Sequence, residues 1–165
     1  MQPALIGKVA APFGELSNMS AHAITDETGK RWPRAEHLFQ AMRFPVDCPI
    51  REEIRAISNP MAAKMLAKSK TAQMTVERGG PVDLDNMRIV LRMKHAQHAA
   101  VRAALLATGQ RLIIEDCSRR RSASGLFWGA WLDTSAEIPT WRGQNWLGRL
   151  WCEIRDAGKP GGARY

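Results

Sequence analysis

The sequence has little that would tie it to a membrane, a metal or an oxidising compartment. No apolar run approaches the roughly 20 residues needed to cross a bilayer, and the first residues lack the basic start and long apolar core of a secretory signal. The three cysteines are odd in number and far apart, which argues against a disulfide framework and favours a reducing compartment. Paired Cys and His spacings of the kind that zinc needs are missing. We therefore expect a cytoplasmic protein that uses no metal, no cofactor and no membrane partner.

Apolar and basic residues are what the sequence does have. Its 165 residues are 45% hydrophobic, enough for one domain with a real core. The net charge of +8 favours polyanionic partners such as nucleic acid, nucleotides or phosphates, although a basic surface that binds nothing has the same signature. Five of the six tryptophans lie between Trp128 and Trp151. They are either core residues or a surface on which a base can stack.

The stretch W-P-R-A-E-H-L-F-Q-A-M-R-F predicts a helix that begins near Pro33, because proline suits the first helical position. Glu36, Gln40 and Arg43 follow each other at i, i+4 and i+7, beside the apolar face. Glu36 falls in the first turn, where the helix dipole favours a carboxylate. A structural glutamate and a catalytic one both fit that position. The predicted core face consists of Ala35, Leu38, Phe39 and Met42.

Turn residues and hydrophobic periodicity place the other elements. Residues 13–31 have the composition of short strands and loops, and D-E-T-G-K within them is typical of a turn. The segment C-S-R-R-R-S-A-S-G-L is a basic loop that either holds phosphate or is simply solvated, and F-W-G-A-W-L after it is a strand or turn. Further helices are predicted over 49–57, from Asn59 to about Lys68, from Asp83 to a stop at Gly109, and from a cap at Asn145 onward.

The longest predicted helix carries two polar residues on its apolar stripe. Lys94 and His98 share the three- and four-residue spacing of the apolar side chains around them. A buried lysine is costly unless it is paired, so Lys94 either extends to solvent at the margin of the stripe or faces a pocket as a cation. His98 is better explained as a histidine satisfied at the edge of the core.

Several blocks together resemble the YbiA-like NADAR family. They are F-G-E-L-S-N-M, W-P-R-A-E-H-L-F-Q, N-P-M-A-A-K, M-R-I-V-L-R-M-K, F-W-G and G-Q-N-W-L-G-R-L-W, in that order. The resemblance implies a mainly α-helical fold: a single compact helical domain over 13–156, with short strand or loop pieces near its N-terminus. Residues 1–12 would precede this domain, and a flexible tail, 157–165, would follow it.

The family includes N-glycosidases that cut a bond between C1′ of a phosphorylated ribose and nitrogen. Some members hydrolyse phosphorylated intermediates of riboflavin synthesis, and others remove ADP-ribose from guanine in DNA. The resemblance therefore implies a hydrolase, and the net charge of +8 favours an ADP-ribosyl adduct on nucleic acid as its substrate. Two alternatives are an N-glycosidase of riboflavin intermediates and a non-catalytic module that binds ADP-ribose or another NAD-derived nucleotide.

The resemblance also implies which residues act. Glu36 matches the family's E-H glutamate and would be the catalytic carboxylate, because the oxocarbenium-like sugar formed on cleavage is stabilised by a nearby anion. Lys94 would meet phosphate, Asn18 the base or ribose, and Trp128 would stack on a ring. Arg43 stands where the family often has lysine. The substrate-binding residues implied are Asn18, Gln40, Arg43, Lys94, Trp128, Gly129 and Asn145.

The sequence departs from the family pattern at two places. Gly125 stands where many members have an acid, and R-G-G-P-V-D replaces a segment that often contains tryptophan. If cleavage needs a second carboxylate, the nearest candidates are Glu115, Asp116 and Asp133.

Overall fold

The computed structural model describes residues 2–158, in which the chain forms two compact units. One unit is Asn18–Ala99, and the other combines the described residues before Asn18 with those after Ala99. About 47% of the structure is helical, and three small two-stranded sheets accompany the helices. The predicted mainly α class is therefore wrong, and the fold is of the α/β type. Strands of two or three residues are too short for the period-two pattern by which a strand is recognised in a sequence.

The described residues contain six strands and seven α-helices, together with short 3-10 turns at Gly14–Leu16 and Thr71–Gln73. In chain order they are β1 (Ala4–Ile6), β2 (Ile24–Thr25), β3 (Arg31–Trp32), α1 (Ala35–Ala41), α2 (Ile50–Ala56), α3 (Pro60–Ser69), α4 (Pro81–Gln97), α5 (Ala99–Ala107), β4 (Ile113–Glu115), α6 (Ala123–Trp128), β5 (Trp131–Asp133), β6 (Thr140–Arg142) and α7 (Trp146–Ala157).

In the unit Asn18–Ala99, an antiparallel hairpin of β2 and β3 leads into the helices. Its turn is the predicted D-E-T-G-K segment, where Gly29 takes a positive φ of 81°. The Asp26 carboxylate accepts hydrogen bonds from the Thr28 and Lys30 amides, and its second oxygen accepts one from the Trp32 indole. One aspartate thus fixes the turn and the first large core side chain of the unit.

Helix α1 is the centre of this unit, since it packs against α2, α3 and α4. The predicted helix is present, but it begins at Ala35 rather than Pro33, and all seven of its residues are buried, including the polar ones. The predictions of α2 and α3 are confirmed. Asn59 caps α3 as expected, because its side chain accepts hydrogen bonds from the Met61 and Ala62 amides.

The predicted continuous helix from Asp83 to Gly109 is wrong, because the structure breaks it into α4 and α5. His98 between them has extended backbone angles, φ −129° and ψ 115°. Its ring bonds the Ala23 carbonyl (2.6 Å), and the Gln97 side chain bonds both the N–H and the C=O of Thr25. These hydrogen bonds to the hairpin segment outweigh the helical periodicity of the sequence.

The other unit is built around parallel strands β1 and β4, paired from Ala4↔Ile113 to Ile6↔Glu115. Helix α7 packs on β4, and the indole of Trp151 donates to the Leu16 carbonyl (3.0 Å). Antiparallel strands β5 and β6 form a second small sheet. No helix within residues 2–158 is long and apolar enough to cross a membrane. The largest fully buried side chains of this unit are Ile6, Leu16, Ile113, Ile114, Leu150 and Trp151.

Candidate functional site

Glu36 lies in the first turn of α1, where its amide donates to the Asn18 carbonyl (3.1 Å). Only 5% of the residue is exposed. Its oxygen Oε1 accepts a hydrogen bond from Nε2 of Gln40 (2.8 Å), whereas Oε2 has no hydrogen-bond partner among residues 2–158. The carboxylate is therefore oriented through one oxygen and keeps the other available.

A continuous chain of buried hydrogen bonds extends from Glu36 through Gln40 to Arg43. Nη1 of Arg43 donates to Oε1 of Gln40 (2.8 Å). The Nε and Nη2 atoms of Arg43 each donate to one carboxylate oxygen of Asp83, both at 2.8 Å, which is the strong bidentate geometry of an arginine–carboxylate pair. The amide of Gly79 also donates to Asp83.

Asp83 is the one residue of this hydrogen-bonded chain whose part in the site the sequence did not predict. An acid in the first turn of a helix is ordinarily explained by the helix dipole, and no local pattern pairs residue 83 with residue 43. The polar edge predicted for the first helix is real, but it is enclosed by protein. Arg43 in particular is 3% exposed and already paired.

Asn18 and Lys94 belong to the same unit. The Asn18 side chain donates to the sulfur of Met87 (3.2 Å), and its oxygen Oδ1 is buried with no partner among the described residues. Lys94 has no exposed surface and donates to the Ser20 hydroxyl (2.7 Å). The interpretation of Lys94 as a lysine that extends to solvent is therefore wrong, because its amino group is held inside the unit.

Asn145 stands at the predicted start of α7 but does not cap it with its side chain. It adopts the left-handed conformation (φ 53°), which asparagine tolerates better than most residues. Its side-chain amide instead bonds β4: Nδ2 donates to the Ile113 carbonyl (2.8 Å), and Oδ1 accepts from the Glu115 backbone amide (3.0 Å). Its own N–H donates to the Gly129 carbonyl (3.1 Å).

Two glycines allow the backbones to approach closely around this asparagine. A Cβ on Gly129 would lie 2.3 Å from the Glu115 carbonyl oxygen, and one on Gly148 would lie 2.1 Å from that of Ile113. The W-G motif and the N-x-L-G motif, which the sequence offered as substrate-binding features, thus both pack closely against the backbone of β4. Whether Gly129 and Asn145 also contact a substrate stays a prediction.

Trp128 ends α6, a helix formed by residues predicted as the end of a loop and the start of a strand or turn. Its ring is half-buried and meets Phe127 edge to face (4.9 Å). Nearby in the chain, the guanidinium of Arg121 lies 3.7 Å from the centre of the Trp131 ring, and that of Arg149 lies 5.0 Å from Trp146. We call Arg121, Trp131, Trp146 and Arg149 the Arg–Trp pairs.

Gly125 has no room for the acid that many family members carry. A Cβ there would lie 2.3 Å from the Arg120 carbonyl oxygen. The backbone of Gly125 is also held in place, because its amide donates a hydrogen bond to the Ser122 hydroxyl (3.1 Å). Two of the alternative acids are held in turns. Asp116 binds the Ser118 amide at an exposed site, and hydrogen bonds from Ser135, with Arg142 beside them, lower the pKa of Asp133 to about 2.

An aspartate with such a pKa stays ionised at neutral pH and cannot supply a proton to a leaving group. The third candidate, Glu115, is half-buried, and its oxygen Oε2 is enclosed. Of the residues predicted for the site, the structure links Asn18, Glu36, Gln40 and Arg43 directly, and Lys94 lies in their unit. Among the described residues, no three His, Cys, Asp or Glu side chains come together as a metal site.

Comparison with known proteins identifies the family. The family model of the NADAR domain matches residues 6–157, nearly the whole chain. The chain belongs to the NADAR family. Among solved structures, this NADAR chain is similar to the NMR structure of the Escherichia coli protein YbiA, with a TM-score of 0.71 and 33% identity, covering 95% of the chain and 86% of that protein.

Curated relatives of this NADAR chain are named as N-glycosidases. It is 35% identical over 144 residues to N-glycosidase YbiA of Escherichia coli (strain K12), which is 87% of the chain and 81% of that protein. N-glycosidase Npun_R5314 of Nostoc punctiforme is 30% identical over 151 residues (90% and 88%). Riboflavin biosynthesis protein VVA0006 of Vibrio vulnificus is 28% identical over 143 residues, which is 87% of the chain but 35% of that longer protein.

Proposed function

We propose that this chain is an N-glycosidase that hydrolyses the C1′–N bond of a ribosyl-phosphate N-glycoside, with Glu36 as its catalytic carboxylate. The names of the curated relatives support the reaction type. The observation that carries the role of Glu36 is its hydrogen bonding: one oxygen is held by Gln40, and the other has no partner among residues 2–158. A fixed carboxylate with an available oxygen is what a developing sugar cation needs.

In the proposed reaction, the C1′–N bond breaks and its electron pair leaves with the nitrogen. Positive charge develops on C1′ and the ring oxygen, where the anionic Glu36 stabilises it. Water then adds to C1′ and loses a proton, and the leaving nitrogen gains one. Glu36 can accept the proton of the water through Oε2. The relatively dry surroundings of a residue that is 5% exposed strengthen this electrostatic effect.

The other implied residues have roles in the proposal that follow from their surroundings. The buried, unpartnered Oδ1 of Asn18 is an acceptor for a ribose hydroxyl or a base N–H. Lys94, whose amino group donates to the Ser20 hydroxyl inside the unit, would meet phosphate in the proposal, as the family resemblance implies. Trp128, Gly129 and Asn145 belong to the other unit; the family resemblance implies substrate contacts for them, and Trp128 offers a half-buried ring for stacking.

For the substrate we favour an ADP-ribosyl adduct on nucleic acid, such as ADP-ribosylated guanine. The net charge of +8 attracts a polyanion, and the Arg–Trp pairs combine cations with partly exposed rings, the pairing by which proteins hold single strands. The second candidate is a phosphorylated intermediate of riboflavin synthesis, which the name of the Vibrio vulnificus relative favours.

Turnover of the two substrate classes by the wild-type protein tests the proposal. We expect chromatography to show released ADP-ribose from an oligonucleotide that carries ADP-ribosylated guanine. Release of base only from the phosphorylated, ribosylated pyrimidine would favour the second candidate. If the folded protein cleaves neither, the enzymatic proposal fails, and calorimetric binding of ADP-ribose without product would then identify a non-catalytic binding module.

The Arg–Trp pairs give a separate prediction about the size of the substrate. Arg121→Ala should raise KM for the adducted oligonucleotide about two- to fivefold, because it removes a cation, and an exposed cation–π contact contributes roughly 0.5–1 kcal/mol. KM for an ADP-ribosylated mononucleotide should stay the same. Arg92→Ala removes an exposed arginine elsewhere and controls for net charge. Equal KM changes with both substrates, or with both variants, would contradict a polynucleotide contact at Arg121.

A further inference from the structure

We propose that Asp83, Arg43 and Gln40 form a buried relay that orients the Glu36 carboxylate. Gln40 and Arg43 then act as positioning residues rather than as substrate contacts, and Asp83 is the anchor of the relay. The proposal rests on the proposed function, since it explains how the catalytic carboxylate is held. It is carried by three consecutive links, each of 2.8 Å, between side chains that are almost entirely enclosed.

The direction of each hydrogen bond follows from the chemistry of the groups. A guanidinium only donates, so Arg43 must face the oxygen of the Gln40 amide, and the NH₂ group of Gln40 must then point to Glu36. The Glu36 oxygen that receives this bond is an acceptor and carries no proton. The relay therefore holds the Glu36 carboxyl group in one orientation, with Oε2 as the oxygen left for chemistry.

Asp83 occupies hydrogen-bond donors of Arg43 that could otherwise bind a ligand. Three donor atoms of the guanidinium are used, two on Asp83 and one on Gln40, and its face lies 4.4 Å from the centre of the Phe39 ring. Asp83 is itself wholly buried and also accepts from the Gly79 amide. With its charge balanced and its position fixed from three sides, Arg43 is poorly placed to bind a phosphate.

A buried ion pair is weak evidence of stabilisation, because apolar residues of similar volume usually serve the fold equally well. Apolar replacement of the Arg43–Asp83 pair therefore distinguishes a role in stability from a role in orienting Glu36. If the pair exists for stability, apolar replacement of both members leaves the activity of the folded enzyme unchanged. If it exists to orient Glu36 through Gln40, the replacement leaves Gln40 free to turn and removes the constraint on the carboxylate.

The test is the double variant Arg43→Met/Asp83→Leu, assayed on whichever substrate the wild type cleaves. We expect kcat to fall about 100-fold, the usual effect of a catalytic group that is displaced by about 1 Å, and KM to change less than about twofold. Arg155→Met is the matched control, since Arg155 is a largely enclosed arginine that bonds Thr108 and the Arg111 carbonyl outside the relay. Its kcat should equal that of the wild type.

Gln40 supplies a readout that does not depend on activity. In the wild type, NMR should show slow hydrogen exchange of its side-chain amide, and in the double variant this protection should be lost. An unchanged kcat in the double variant, a rise in KM alone, or retained protection would overturn the relay. If Glu36→Gln keeps full turnover, the proposed function has failed instead, and the exchange of the Gln40 amide still decides whether the relay exists.

Discussion

Replacing Glu36 with glutamine is expected to lower kcat roughly 10³-fold, within the range of about 10² to 10⁴ that a positioned acid or base contributes. The change corresponds to about 4 kcal/mol of transition-state stabilisation. Glutamine has the shape of glutamate but no charge, so it cannot balance the sugar cation or accept a proton from water. Rapid quench and chromatography of the released base measure the rate, and KM should change little, because the lost interaction develops only in the transition state.

The same variant should keep the fold, which separates a chemical effect from unfolding. Gln40 can still donate to the side-chain oxygen of a glutamine at 36, and the Arg43–Asp83 pair is not altered. The temperature of unfolding should therefore stay within a few degrees of the wild type. A variant that retains more than a tenth of wild-type kcat would remove Glu36 from the mechanism.

Gly148→Ala should lower the free energy of unfolding by about 3 kcal/mol, the upper end of the usual cost of overpacking. Helix propensity predicts the opposite sign, because alanine is favoured over glycine inside a helix. The new Cβ, however, would lie 2.1 Å from the Ile113 carbonyl oxygen and 2.6 Å from Nδ2 of Asn145. The hydrogen bond between those two atoms would have to open, and α7 would move away from β4. Denaturant unfolding measures the loss.

Gly158→Ala is the matched control at the other end of α7. Gly158 has a φ of −82°, and a Cβ there would be in ordinary contact, 3.6 Å from the Arg155 carbonyl oxygen. A small gain of about 0.5 kcal/mol is expected, since alanine restricts the unfolded chain. If both alanines had the same sign of effect, the close approach at Gly148 would not be limiting.

Elements defined by neighbouring residues could be predicted from the sequence, and those defined by distant ones could not. Asn59 followed by Pro60 marked the start of α3, because a cap and a first-turn proline act within one turn. His98 carried no such mark. Its periodicity fitted one long helix, and the carbonyl that holds it out of the helix belongs to Ala23, 75 residues earlier.

In the candidate site, too, contacts between neighbouring residues could be predicted from the sequence and contacts between distant ones could not. Glu36 and Gln40 are four residues apart on one helix, so their contact was expected from the spacing alone. Asp83 reaches Arg43 from 40 residues away, and the spacing of the sequence contains no trace of that pair. The double hydrogen bond of Asn145 to β4 was hidden for the same reason, because residues at helix starts are read first as caps.

The complete burial of α1 limits how this chain can change. A helix with a solvent face offers positions where substitutions have little effect, whereas each of the seven residues of α1 touches the interior. A substitution beside Glu36 therefore changes the packing against α2, α3 or α4. Directed evolution toward a new substrate would find more tolerated variants among exposed residues such as Arg119 and Arg121 than beside Glu36 itself.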